Sequence, residues 1–188
     1  MGRWQPDSRG RLQEAALALY SEHGFDQTTA AQIAARAGLT ERTFFRHFAD
    51  KREVLFAGSA LLQERIVAGV AGAPPTDGPL DAVGGGLAAA AVMLGEFRRD
   101  LSRQRHAVIA ANPELREREL AKLADYAASV ATVLHDRGVD EPQASLAAEA
   151  GMTVFRVAVE RWSSGSDDRD LGAVMREAMA ELRAVAGG

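Results

Sequence analysis

The chain has 188 residues, of which 47% are hydrophobic and 26% charged, with a formal net charge of −4 and no cysteine. That length supports one or two domains with a true core. The absence of cysteine excludes disulfides, thiolate metal sites and cysteine nucleophiles together. No apolar run reaches the roughly 18–20 residues that span a bilayer, and the opening "MGRWQPDSRGRLQEA" lacks the apolar run of a secretory signal, so a cytoplasmic protein without a membrane partner is expected.

Alternating strand patterns are missing, while Ala, Leu, Arg and Glu recur at helical spacing throughout, so the expected fold class is all-α. A first helix is predicted from Asp7 or Ser8, burying Leu12, Ala15, Ala16 and Leu19 and stopping at Gly24. Ahead of it, Arg3, Trp4, Arg9 and Arg11 read as a short basic arm. A second helix opens at Thr29, where Gln32 completes a capping box, and ends at Gly38. Thr40 caps a third helix, and Asp50 with Glu53 starts a fourth that runs to about Val70.

"AGAPPTDGP" at 71–79 is a linker by its Pro and Gly content. Beyond it, helices are expected at 80–100, 102–111, 113–137, 141–163 and 169–186. "GGG" at 84–86 is awkward inside the first of these, and stands as a break, a close helix crossing or a flexible wall. The four arginines of "EFRRDLSRQRH", Arg98, Arg99, Arg103 and Arg105, form a cluster that suits either an anionic ligand or a solvated helix end.

Two short helices around a Gly-containing turn, braced by a preceding helix, describe a helix-turn-helix. At 100° per residue, Phe44 and Phe48 share the core face of the third helix, and Arg42 and Arg46 point away from it. Thr43 and His47 lie on one flank, Glu41 and Phe45 on the other. Arg side chains read guanine through O6 and N7, and a Thr methyl touches thymine, so this face suits a major groove. Lys51 sits where phosphates should run. Met1–Gly58 is nevertheless close to neutral, so the placement of charge, rather than its sum, carries the reading.

"TTAAQIAARAGLTERTFFRHFADKREVLF" resembles the DNA-binding segment of the tetracycline-repressor (TetR) family of bacterial transcriptional regulators. Gly24-Phe25, Thr28-Thr29, Ile33-Ala34, Ala37-Gly38, Thr43-Phe44 and His47-Phe48 with Lys51 carry the resemblance, which covers about Arg9 to Gly58. It implies an N-terminal three-helix helix-turn-helix domain at 1–50, with its motif at 29–48, and a helical ligand-binding and dimerisation domain at 51–188. It also implies that Thr29 binds a phosphate, that Glu41, Arg42 and Thr43 face base edges with Phe45 and Arg46 beside them, and that His47 and Lys51 hold the DNA backbone. Family members usually carry Tyr where this chain has Phe45, so one phosphate hydrogen bond is lost there.

The partners so implied are double-stranded operator DNA, a second copy of the chain and a small-molecule effector of unspecified identity, with repression as the family default. The expected effector lining is Leu62, Met93, Phe97, Ile109, Leu123 and Tyr126; the expected dimer contacts are Val154, Phe155, Trp162, Val174, Met175, Ala178 and Leu182. No catalytic residues, metal site or cofactor are expected, since the four histidines are scattered and 84–86 lacks the Lys and Ser/Thr of a phosphate loop. The competing reading is a helical ligand-binding or interaction protein that no longer binds DNA.

Overall fold

The computed structural model describes residues 8–95, 99–165 and 169–187. Its elements are α1 (Ser8–His23), α2 (Ala30–Arg36), α3 (Glu41–His47), a 3-10 turn (Glu53–Phe56), α4 (Ser59–Ala71), α5 (Pro79–Gly95), α6 (Arg99–Ala111), α7 (Pro113–Asp136), α8 (Glu141–Ser164) and α9 (Leu171–Gly187). No strand occurs among the described residues. The chain forms two compact units, Met1–Ala57 with Asp100–Glu117, and Gly58–Arg99 with Arg118–Gly188. The first unit therefore takes in most of α6, which a boundary at 50/51 had assigned to the other domain.

The first unit is built on a core of Leu12, Ala16 and Tyr20 from α1, Ile33 from α2, Phe44 from α3 and Val54–Phe56, closed by Val108, Ile109 and Leu115. These residues recur at helical spacing because each short helix offers only one apolar stripe. Arg105 of α6 donates from Nε to the Leu55 carbonyl (2.7 Å) and lies over the Phe56 ring at 5.4 Å. Ile109, expected in an effector pocket, belongs to this core.

The fourth predicted helix is in fact two elements. The 3-10 turn ends at Phe56, and Gly58 takes φ +88° before α4 begins. A residue with a Cβ resists that left-handed geometry, so the break is written at Gly58. The same break divides Glu53–Ala71, the one stretch among the described residues long and apolar enough by composition to cross a membrane.

The second unit buries Ile66 and Val70 of α4, Val83 and Leu87 of α5, and Val130 and Leu134 of α7, together with the inner faces of α8 and α9. The triple glycine is resolved as a close helix crossing. A Cβ on Gly86 would stand 2.7 Å from the Ile66 carbonyl, and one on Gly69 would stand 2.7 Å from the Gly86 Cα. Backbone meets backbone there, which only glycine permits. Arg137 fixes the following linker by donating to the carbonyls of Ala71 (3.2 Å), Ala73 (2.8 Å) and Pro74 (2.8 Å).

The dimer candidates are placed differently from the expectation. Val154, Phe155, Trp162, Val174, Met175 and Ala178 are all buried in this unit's own core, and Leu182 packs against it half-buried. Their stripes are used within the chain, where α5, α8 and α9 pack on one another.

Candidate nucleic-acid interface

Local sequence sets the helix-turn-helix. Thr29 caps α2 in a reciprocal box, its hydroxyl accepting from the Gln32 N–H (3.2 Å) while the Gln32 Oε1 accepts from the Thr29 N–H (2.8 Å). Gly38 turns the chain at φ +66°, and the Thr40 hydroxyl accepts from the Thr43 N–H (3.2 Å) to begin α3. Helix α3 is only seven residues long, too short to persist without tertiary packing. Phe44 and Phe48 supply that packing at 0% and 4% exposure.

The opposite side of α3 is open. Glu41, Arg42, Phe45 and Arg46 are exposed, and neither Arg42 nor Arg46 has an ion-pair or hydrogen-bond partner among the described residues. Thr43 is half-buried, with its hydroxyl 3.0 Å from that of Thr40. Thr29 stands exposed at the start of α2.

Lys51, expected at the DNA backbone, is engaged within the fold. Lys51 Nζ donates to the carbonyls of Phe25 (2.8 Å), Asp26 (3.2 Å) and Thr28 (3.0 Å), and stands 4.4 Å from the centre of the Phe25 ring. An ammonium has three N–H donors, and all three are occupied. Its own carbonyl accepts from the Tyr20 hydroxyl at 2.6 Å. Burial first, and then the charge of Asp50, push that hydroxyl's pKa upward, so it remains a donor. Lys51 is thus a clamp between the α1–α2 turn and the segment after α3. His47 is half-buried, and its Nε2 is shielded from solvent with no hydrogen-bond partner.

The basic arm also resolves differently. Arg9 and Arg11 belong to α1; Arg9 lies over the Phe48 ring at 5.5 Å, and Arg11 donates to the Ala37 carbonyl at the end of α2. Arg3, Trp4 and Asp7 lie outside the described residues. Helices α1 and α2 are further joined by Arg36, whose guanidinium bonds both carboxylate oxygens of Glu22 at 2.5 and 3.0 Å. Tyr20, Glu22 and Arg36 were not singled out by sequence, because each partner is distant along the chain and no local pattern announces it.

Asp50 closes the segment after α3, its Oδ1 accepting from the backbone N–H of Arg52 (2.8 Å) and Glu53 (3.1 Å). Burial opposes its ionisation, but the Arg52 guanidinium and these N–H groups win and hold the carboxyl below its ordinary value. A depressed carboxyl stabilises the fold above its unfolded-state pKa and loses that effect as pH falls through the folded value. Asp50→Asn is accordingly expected to cost about 0.5 kcal/mol at neutral pH. The cost should vanish in acid, below the folded-state value, as thermal unfolding against pH would record.

Four of the candidate effector residues lie in the second unit. Leu62, Met93 and Leu123 are half-buried in the second unit, and Tyr126 is buried with its hydroxyl donating to the Ser59 carbonyl (2.9 Å). Ile109 belongs to the other unit, and Phe97 lies outside the described residues. Two of the four clustered arginines are engaged with backbone carbonyls. Arg99 caps the end of α8 by donating to the Trp162 carbonyl (2.9 and 2.6 Å), Arg105 is engaged with Leu55, and Arg98 lies outside the described residues.

Comparison with known proteins follows the same division. HTH-type transcriptional regulator TcmR of Streptomyces glaucescens is 36% identical over 91 residues, which cover 48% of this chain and 39% of TcmR. The match therefore spans well under half of that protein. Among solved structures, a SmeT–triclosan complex aligns with TM-score 0.66 at 21% identity, over 96% of this chain and 91% of that one. SmeT is described as the repressor of a Stenotrophomonas maltophilia multidrug efflux pump. FadR of Bacillus subtilis in complex with stearoyl-CoA aligns with TM-score 0.64 at 18% identity, over 92% of this chain and 96% of that one. Both share the fold. Residues 77–187 match the family described as the MftR C-terminal domain, and residues 12–57 match "Bacterial regulatory proteins, tetR family". With most of its length matched in this way, the chain belongs to the tetR family of bacterial regulatory proteins.

Proposed function

We propose that this protein is a cytoplasmic transcriptional repressor that binds a near-palindromic DNA operator as a homodimer and is released by a small-molecule effector. The observation that carries the reading is the two-sidedness of α3, with Phe44 and Phe48 buried while Arg42 and Arg46 stand exposed and unpaired on the other side. Unpartnered guanidiniums beside an exposed aromatic have no role in the fold, and they match what a major groove recognises. Arg42, near the start of α3, reads a base edge, and Arg46 and Thr29 meet phosphates. Lys51 holds the reading helix in place through the three carbonyls it bridges, and His47, at the end of α3, meets the DNA backbone.

One such helix covers few base pairs, so two copies are needed for a specific site. The second copy meets the outer faces of α8 and α9, on which Leu146 and Val185 stand 71% and 83% exposed. The effector follows from the fold-mates, one bound to triclosan and one to stearoyl-CoA. A ligand that prefers one arrangement of the dimer shifts the population toward it, and by linkage operator DNA must weaken that ligand's binding in return.

Selection of bound sequences from a random DNA library tests the reading. A two-fold symmetric site should emerge, with affinity falling steeply as salt rises. Arg42→Ala is expected to relax the preference at one base pair per half-site at a cost of about 1–3 kcal/mol. Sequence-independent binding by the wild-type protein would refute it.

A further inference from the structure

Phe45 stands on α3 beside Arg42 and Arg46 without a donor for phosphate. Phe45 is the one aromatic among the large exposed hydrophobics of the described residues, at 53% exposure. It follows Arg42 by three residues and immediately precedes Arg46, so it stands beside the proposed reading residue on the next turn. Its ring meets Phe44 edge-on, with centroids 5.3 Å apart and planes at 85°. Since Phe44 is fully buried, it is a fixed support, and the Phe45 ring has less freedom to lose on meeting a surface than an unsupported side chain would.

A phenyl ring offers no donor to a phosphate and no acceptor to a base. The major groove presents one apolar substituent, the C5-methyl group of thymine. We propose that Phe45 is a specificity-determining residue whose ring packs on the methyl group of one thymine in each half-site, next to the base read by Arg42. This rests on the reading of α3 as a major-groove helix. It adds that one base is chosen by its methyl group alone. A deoxyribose contact, the alternative for an exposed ring, is the same at every base and gives no sequence preference.

Exchange of thymine for deoxyuridine removes the methyl and leaves every hydrogen-bonding group in place. In the operator recovered by library selection, each thymine is to be replaced singly by deoxyuridine and binding of the full-length protein measured. One thymine per half-site should lose about fourfold in affinity, the effect of one buried methyl group, and paired substitution in both half-sites about fifteenfold. In Phe45→Ala that penalty should disappear while penalties at other thymines persist. Phe45→Leu should retain part of it.

The wild-type measurement stands even if Phe45→Ala is poorly folded, and thermal unfolding of both variants checks that point. Indifference of every thymine to loss of its methyl overturns the proposal. So does a penalty that survives unchanged in both Phe45 variants, or a Phe45→Ala defect equal on thymine and uracil operators, which would mark a sugar contact. Recovery of no enriched sequence at all would instead overturn the DNA-binding reading on which it rests.

Discussion

Lys51→Met is expected to lower the stability of the first unit by roughly 2–4 kcal/mol while leaving the salt dependence of DNA binding unchanged. The stability loss follows from geometry. Methionine keeps the length and apolar stem of lysine but leaves the carbonyls of Phe25, Asp26 and Thr28 without their shared donor, and removes the cation from the Phe25 ring. Phe25 and Thr28 are buried, so water replaces the ammonium only in part. Amide hydrogen exchange across α1–α3 would read the loss as easier local opening.

The salt dependence separates a clamp from a contact. A lysine that neutralised a phosphate would release counterions on binding, and its removal would flatten the plot of log affinity against log salt by about 0.9. A clamp changes affinity only through the population of the folded reading head, and the slope is preserved. A flattened slope with unchanged hydrogen exchange would return Lys51 to the DNA backbone.

The second large effect lies at the glycine crossing, where neighbouring glycines should respond with opposite signs. Gly86→Val is expected to destabilise the second unit by about 3 kcal/mol, since added carbons meet the Ile66 carbonyl and the Val70 side chain, both at 2.7 Å from the Cβ alone. The carbonyl belongs to a helical backbone and cannot swing aside. Gly84→Ala, two residues earlier in the same helix, meets nothing within 4 Å and should stabilise by roughly 0.5–1 kcal/mol through helix propensity. Thermal denaturation of the two variants decides the matter. Equal effects at both positions would mean that propensity, rather than the crossing, governs this stretch.

What could be read from the sequence at the candidate site was its local chemistry. The Thr29–Gln32 box and the Thr40 cap lie within single turns, where residue type and spacing are sufficient to specify a hydrogen bond. The two faces of α3 were legible for the same reason, because helical periodicity ties direction to residue number. Side chains with two possible destinations were not legible. Arg9, Arg11 and Lys51 carry charge suited to phosphate, yet each finds a partner within the fold, an aromatic face for Arg9, a carbonyl for Arg11 and both for Lys51. The choice depends on residues some 23 to 39 positions away, which no local pattern can supply.

By itself, then, the sequence determined the helical class, the capped starts of α2 and α3, the linker and the orientation of α3, all of which follow from short-range backbone sterics and periodic burial. Tertiary structure alone decided which apolar stripe serves which neighbour. The stripes of α8 and α9 were expected to face a partner chain, and the chain buries them against its own helices. It also chose the close crossing among three readings of Gly84–Gly86, and it split the fourth helix at Gly58. The physical reason is common to these cases. Hydrophobic burial is strong but non-directional, so a sequence states that a face must be covered, and only the packed structure states by what.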